Sequence, residues 1–426
     1  MQFKGLSTDQ APPISAPLRF FLTAPIFGII AGILILLSDA SFLISRYSLD
    51  SIVITHIITI GFFSFVMFGA LTQMLPVLAG AKMYRVELAT KIAYIIMTAG
   101  LVMMIIGLVF TSSIFTMFSF ISLGSGFMIM ITSTLYAIKN IDNITATIRG
   151  MATSMFFAFI IVLMGLFLLY AYISNDYSEL HIVIANIHSV MAIFGFVGIL
   201  IIGVSFQVLP MFYVAPKFKL FCKNYVMSLI SIGLFIWLLL NFFADEYSII
   251  GKFWIALFFW AFATTVWKKL NERKRPISDV TIWYWRASSI FLTVGSFLWI
   301  FDEFLETEYI VMVAILIGGS ILSILIGMLY KIIPFLVWFH LNAMGYMSIP
   351  TITEMIDKDL AITQYIFFIF SIIVFGFSFY LPYLLDLSAI SFIISMALLE
   401  YNILAPVLLY RRTKKTKPDF DMSMFQ

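Results

Sequence analysis

Long apolar stretches separated by short polar segments dominate the chain from near residue 18 to near residue 410. A helix needs roughly 20 apolar residues to cross about 30 Å of hydrocarbon at 1.5 Å per residue. Stretches of this length recur along the chain, so the pattern predicts an all-α integral membrane protein with about twelve transmembrane helices. The predicted spans are 18–38, 51–77, 89–110, 113–138, 148–173, 180–210, 222–243, 248–268, 281–301, 309–333, 362–384 and 387–410.

Composition agrees with this pattern and narrows the class of protein. Hydrophobic residues make up 62% of the chain and charged residues 11%, whereas soluble domains average about 25% charged residues. The expected surrounding is therefore a lipid bilayer. The single cysteine, Cys222, excludes an intrachain disulfide framework, a thiolate zinc site and an iron–sulfur cluster. No phosphate loop, nucleophile triad or nucleic-acid motif is present, so we expect no nucleic-acid partner.

The positions of the cationic residues predict the orientation of the spans. Cytoplasmic loops of membrane proteins carry an excess of Lys and Arg. With a cytoplasmic N-terminus, all but Arg46 and Lys252 of the 25 Lys and Arg residues fall in cytoplasmic segments or at their edges. The opposite loops are acidic. We therefore predict a multi-pass protein of a bacterial-type inner (cytoplasmic) membrane, with both termini in the cytoplasm and a basic cytoplasmic tail at 411–426.

A motif that recurs every four spans predicts an internal repeat. The pattern G-x7-G-x3-[QK]-x2-P occurs at 61–76, 195–210 and 319–334, in the second, sixth and tenth spans. The alternative is chance, because glycine and proline are common in membrane helices. Three matches at four-helix intervals favour one transmembrane domain, 1–426, built from three parallel four-helix units around a pseudo-threefold axis. The units cover approximately 18–138, 148–268 and 281–410, and we expect each motif proline to end its span.

Two histidines at membrane depth are the first candidates for chemistry. His56 and His188 lie 20 and 22 residues before the motif prolines of the second and sixth spans, at nearly equivalent depths. Two neutral imidazoles on facing helices suit the axial ligation of a haem b. The alternative is that each histidine only forms hydrogen bonds between helices. Met312, in the equivalent stretch of the tenth span, and His181, at the membrane edge, are further candidate ligands, whereas His340 is expected at the cytoplasmic surface.

Other polar residues at membrane depth are weaker candidates. Glu400 lies in the middle of the twelfth span, where a carboxyl group can relay protons or simply remain neutral. The repeat also brings three polar residues to equivalent positions at the inner face. They either line a cytoplasmic vestibule or cap helix ends. These three residues are Gln73, Gln207 and Lys331.

The architecture and the motifs together resemble subunit I of the haem–copper oxidases. The stretch 19–22, Arg-Phe-Phe-Leu, followed by His56, Gly61-Phe62, Gly69 and Leu75-Pro76, is most similar to the divergent NnrS branch of that superfamily. The resemblance implies a haem ligand at His56, a metal ligand at His188, and a redox role or a response to nitric oxide or another small gas. Copper is a possible second metal, and an electron-donor protein is a possible partner.

The chain also departs from the oxidase pattern. The seventh span has no histidine, the tenth has none at membrane depth, and Ile193 occupies the position where many oxidases have a tyrosine. Without these ligands, oxygen reduction by the oxidase mechanism is not expected, and enzyme activity stays an open question. The alternative function is a permease that moves a metal ion or small solute along the repeat interface, because parallel repeats are also common in transporters. A structural assembly factor without a ligand is a third interpretation.

Overall fold

The computed structural model describes residues 12–38, 43, 45–81, 83–274, 277, 279–304 and 309–420, all in helices, turns or irregular segments. Twelve helices within these residues are long and apolar enough to cross a membrane, which confirms the all-α prediction and the number of spans. We number them α1 to α12. Their bounds are Ser15–Leu37 (α1), Leu49–His56 with Ile57–Ser64 and Phe65–Ala79 (α2), Val86–Val109 (α3), Ser113–Lys139 (α4), Ala146–Ser174 (α5), Leu180–Val190 with Met191–Gly198 and Ile199–Tyr213 (α6), Leu220–Phe243 (α7), Ser248–Asn271 (α8), Val280–Phe301 (α9), Ile310–Ala343 (α10), Lys358–Ser378 (α11) and Leu384–Thr413 (α12).

The motif prolines do not end their helices, so that part of the prediction is wrong. The helices continue to Ala79 in α2, to Tyr213 in α6 and to Ala343 in α10. A proline removes one hydrogen bond within a helix, but neighbouring helices can hold a proline-containing membrane helix in place. As a result, His340 lies inside α10 rather than after it.

Three helices form the centre of the bundle. The most apolar windows of α2, α6 and α10 are 61%, 78% and 61% buried, against 28–50% for the other nine spans. Aromatic rings join them: Phe68 of α2 meets Phe196 of α6 at 6.1 Å, and Phe212 of α6 meets Phe335 of α10 at 5.6 Å. α10 also packs against α2. The repeated motif therefore lies on the three innermost helices.

The second glycine of each motif meets the helix that precedes it in the chain. A side chain at Gly69, Gly203 or Gly327 would place its Cβ within 2.7–2.9 Å of a neighbouring heavy atom, which is closer than real Cβ contacts. Glycine is thus needed for the close approach of the two helices. The neighbouring residues are Phe21 of α1, Gly150 of α5 and Tyr284 of α9.

A buried hydrogen-bond network joins the last four helices. Gln364 of α11 accepts hydrogen bonds from the hydroxyl groups of Tyr284 in α9 and Tyr330 in α10, and its amide nitrogen donates to Ser395 of α12 at 2.8 Å. Gln364 has no exposed surface. In an apolar surrounding, unpaired polar atoms are costly, so this network lets α9–α12 bury polar side chains at little cost.

Both described chain ends lie at one end of the bundle, which we call the terminal end. The His340 Nε2 atom at the close of α10 lies 3.1 Å from the carbonyl oxygen of Pro12. The Asp419 carboxylate accepts hydrogen bonds from the backbone N–H groups of Met347 and Ser348 at 2.7 and 2.8 Å. These two bonds, that to Ser348 first, lower the pKa of Asp419. The tail beyond α12 is thereby fastened to the segment after α10.

The opposite, distal end carries the starts of α2 and α6 and two short 3-10 turns, Asp245–Tyr247 and Asp302–Phe304. Lys252 forms an ion pair there with Glu303.

Candidate functional site

The distal halves of α2 and α6 bring two histidines together. The ring centres of His56 and His188 lie 6.3 Å apart, and the ring planes differ by 23°. Both side chains are half-buried. Separate sites would need more than about 10 Å, the distance of one packed helix, so the two imidazoles share one location.

Each histidine lies next to a π-helical segment, a feature that no sequence pattern indicated. The segments are Ile57–Ser64 in α2 and Met191–Gly198 in α6, eight residues each, and both begin 19 residues before the motif proline. In contrast, α10 is α-helical from Ile310 to Ala343. π-Helical segments are rare and occur frequently at functional sites. The pair of histidines and the two π segments thus belong to the same two helices.

The histidines come together because their positions are not equivalent. With the two π segments aligned, His56 corresponds to Val190, and His188 corresponds to Ile54. An offset of two residues turns a side chain by about 200° around an α-helix. When two similar helices are related by rotation about an axis, each one turns a different face toward the other, so equivalent positions do not meet. The offset therefore lets one histidine on each helix face its partner.

A backbone carbonyl group orients the His56 ring. His56 Nδ1 lies 2.7 Å from the carbonyl oxygen of Ile52, so Nδ1 carries the proton and Nε2 keeps a free lone pair. The Nδ1 atom of His188 is buried and has no hydrogen-bond partner among the described residues. A hydrogen bond from one ring nitrogen to a carbonyl group is the usual arrangement of a metal-binding histidine.

A glycine on α5 makes room for the second ring. A Cβ atom at Gly165 would lie 3.1 Å from Cε1 of His188. Any larger residue would press on the imidazole and force it to shift.

The separation of the rings fits one metal atom between them. Two metal–nitrogen bonds of about 2 Å, with about 1 Å from each nitrogen to its ring centre, give ring centres about 6 Å apart. In the part of the chain that the structure describes, no three His, Cys, Asp or Glu residues form a group that could hold a metal ion. A metal at the histidine pair must therefore bring its other ligands with it or require only two.

The other predicted ligands have their own surroundings. His181 packs against the rings of Tyr172 and Tyr177 at 6.1 and 5.3 Å, and no group of three ligands among the described residues includes it. Met312 is half-buried in the first turn of α10. The structure thus joins His56 with His188, and the roles of His181 and Met312 as ligands stay predictions.

The remaining polar candidates have three different surroundings. Lys331 forms an ion pair with Asp279, the N-cap residue of α9, a partner that the motif alone did not indicate. Gln73 is 3% exposed, and neither its oxygen nor its nitrogen has a hydrogen-bond partner among the described residues. Gln207 is half-buried, and Glu400 has one buried carboxyl oxygen without a partner. These differences give no support to a uniform ring of three polar residues.

A polar contact that the sequence did not predict lies near the histidines. The hydroxyl group of Tyr47, just before α2, donates to the side-chain oxygen of Asn186 in α6 at 2.8 Å. Asn186 is two residues before His188, which is the one signal that could have drawn attention to it.

Comparison with known proteins gives no family. No protein-family model matches the chain, and no curated protein matches it either. The resemblance to the haem–copper oxidases stays a prediction that rests on the motifs.

Proposed function

We propose that this membrane protein binds one haem b between His56 and His188 and serves in a redox reaction or in the response to a small gas such as nitric oxide. The observation that carries the proposal is the 6.3 Å separation of two nearly parallel imidazoles on adjacent helices of the membrane interior. The protein would then belong to the oxidase-subunit-I-like class but would lack the complete oxygen-reducing site.

The ligand set supports haem over a bare metal ion. Zinc prefers four protein ligands or three with water, and the histidine pair offers two. A porphyrin supplies four nitrogen ligands of its own, so two axial imidazoles complete its iron. When bound, haem held by both imidazoles would supply one-electron redox chemistry, and a diatomic gas would bind its iron only by displacing one of the two histidines.

The residues of the chain would hold and orient the haem. The carbonyl group of Ile52 fixes the His56 ring with Nε2 available as the ligand atom. Gly165 leaves space for the His188 ring. The phenyl rings of Phe68, beyond the π segment of α2, and Phe196, within the π segment of α6, meet nearer the terminal end and hold α2 and α6 together there.

The finer architecture is part of the same proposal. The three glycine contacts with a preceding helix and the central position of α2, α6 and α10 support three parallel four-helix units around a pseudo-threefold axis. The distribution of cationic residues supports a cytoplasmic terminal end in a bacterial-type inner membrane. An electron-donor protein would then approach either from the cytoplasm or at the distal end.

The decisive experiment is the absorbance spectrum of the purified protein, oxidised and dithionite-reduced, together with its iron and copper content. Haem b bound to two imidazoles would give an intense Soret band that sharpens and shifts on reduction. A protein without Soret absorbance after haem supplementation would overturn the haem proposal.

Copper alone is the second candidate, because the pair suits an ion that needs only two ligands. In that case the purified protein would contain stoichiometric copper and no Soret band. The permease interpretation has less support, since aromatic rings fill the contacts of α6 with α2 and with α10.

A further inference from the structure

A polar contact at the distal end joins the two helices that carry the histidines. The Tyr47 hydroxyl group donates to Asn186 at 2.8 Å, and Arg46 Nη2 donates to the same hydroxyl oxygen at 2.6 Å. The Arg46 guanidinium group also lies over the Tyr47 ring, 4.7 Å from its centre. We call Arg46, Tyr47 and Asn186 the distal clasp.

The positive charge of Arg46 strengthens the hydrogen bond between Tyr47 and Asn186, although the clasp lies at an exposed position. A cation that donates to the phenol oxygen polarises the hydroxyl group, which then donates more strongly to the Asn186 oxygen. Arg46 forms no ion pair with a carboxylate among the described residues, and its side chain contacts Tyr47 both at the hydroxyl group and over the ring. The clasp therefore fastens the start of α2 to α6.

The position of the clasp couples it to the histidine pair. Asn186 precedes His188 by two residues, about 3 Å along the helix axis. Toward the terminal end, α2 and α6 meet again at Phe68 and Phe196. The histidines thus lie between a polar link on one side and an aromatic contact on the other, to which Phe68 contributes from beyond the π segment of α2 and Phe196 from within the π segment of α6.

We propose that the distal clasp sets the separation of the His56 and His188 imidazoles, with Tyr47 and Asn186 as positioning residues for the bound metal. The effect on haem rests on the proposed function, whereas the effect on helix spacing does not. Without the Tyr47–Asn186 bond, α2 and α6 spread at their distal ends, the two nitrogens move apart, and a shared metal is held less tightly.

The first test measures helix spacing without any ligand. Spin labels are placed at two exposed distal positions, Leu49→Cys and Ile182→Cys, in a Cys222→Ser background that removes the single native cysteine. Tyr47→Phe keeps the ring beneath Arg46 and removes only the hydroxyl group. We expect a longer and broader distance distribution for Tyr47→Phe, and an unchanged one for Tyr177→Phe, a matched control at another exposed tyrosine of the distal end.

The second test measures haem affinity and ligand geometry. Tyr47→Phe should raise the dissociation constant for haem about tenfold, the loss expected for one hydrogen bond, and change the electron paramagnetic resonance spectrum of the ferric haem. Asn186→Leu should do the same and the double variant no more, whereas Asn186→Asp, which keeps the acceptor oxygen, should restore both readouts.

The two readouts separate the possible failures. Unchanged spin-label distances in Tyr47→Phe and Asn186→Leu would overturn the clasp proposal, whether or not haem binds. Changed distances with unaltered affinity and spectrum would overturn its link to the metal. A wild-type protein that binds no haem would overturn the proposed function, while the distance measurement would still decide whether the clasp sets the spacing.

Discussion

The histidine pair and the Gln364 network are two polar regions in the same apolar bundle, and they differ in how their polar atoms are satisfied. In the network, the Gln364 side chain has partners at both its oxygen and its nitrogen. In the pair, Nδ1 of His56 has a backbone carbonyl partner, whereas Nδ1 of His188 is buried without a hydrogen-bond partner among the described residues.

This difference separates a structural role from a binding role. A buried polar network that satisfies itself stabilises helix packing and leaves no atom for a ligand. A buried nitrogen without a partner costs free energy, and a ligand that binds the nitrogen removes this cost. Polarity alone does not distinguish the two regions, whereas the number of hydrogen-bond partners of each buried polar atom does.

The largest expected effect comes from replacing either histidine of the pair. His56→Ala and His188→Ala should each abolish or strongly alter the Soret band, because a shared haem needs both axial ligands. His181→Ala should leave the band intact, since His181 packs against tyrosines away from the pair. Absorbance of the reduced proteins checks this, and a normal band in either of the first two variants would break the comparison.

A smaller effect is expected in the network. Gln364→Leu removes the partner of two tyrosine hydroxyl groups and of Ser395, so it should lower the free energy of unfolding by about 2 kcal/mol without changing the Soret band. Thermal unfolding in detergent measures the stability. Gln207→Leu, a half-buried position, is the matched control, and equal stability of the two variants would remove the structural role of the network.

Gln73 extends the comparison with Gln364, because its buried amide has no hydrogen-bond partner among the described residues. Replacing an unsatisfied polar group by an apolar one of similar shape is nearly neutral or stabilising. Gln73→Leu should therefore unfold within about 1 kcal/mol of the wild type or above it, in contrast with Gln364→Leu. A large loss of stability would instead show that Gln73 holds a ligand or an ordered water molecule.

The smallest effect concerns the tail at the terminal end. The lowered pKa of Asp419 means that its carboxylate stabilises the docked tail above the carboxyl group's ordinary pKa of 3.8. That contribution is lost as the pH falls through the lowered pKa. Amide hydrogen exchange at Met347 and Ser348, corrected for intrinsic rates, should be slow at neutral pH and faster in acid. Asp419→Asn should weaken protection at neutral pH and remove the acid dependence.

Much of the fold could be predicted because each span depends on local composition. A run of about 20 apolar residues crosses the membrane whatever its neighbours are, so the twelve spans follow from the chain alone. Equal depth also placed His56 and His188 in the same layer, and the structure brings their rings together.

Features that depend on two distant segments could not be predicted. The partner of Lys331 is Asp279, 52 positions away, and Tyr47 meets Asn186 across 139 positions. No local pattern encodes either pairing. The helices that continue past the motif prolines were missed for a related reason, because packing against neighbours outweighs the local effect of proline.

The two π segments determine how the insertion or deletion of one residue would affect the histidine pair. A π segment accommodates about one residue more than the regular helix it replaces, and one added residue rotates everything on one side of it by about 100° relative to the other. In α2 and α6 the segment lies between the histidine and the second glycine, the glutamine and the proline of the motif. A single insertion or deletion there would therefore turn the histidine to another neighbour while the packing of the terminal half stayed intact. α10 is α-helical throughout, so only the two helices that carry the histidines could change in this way.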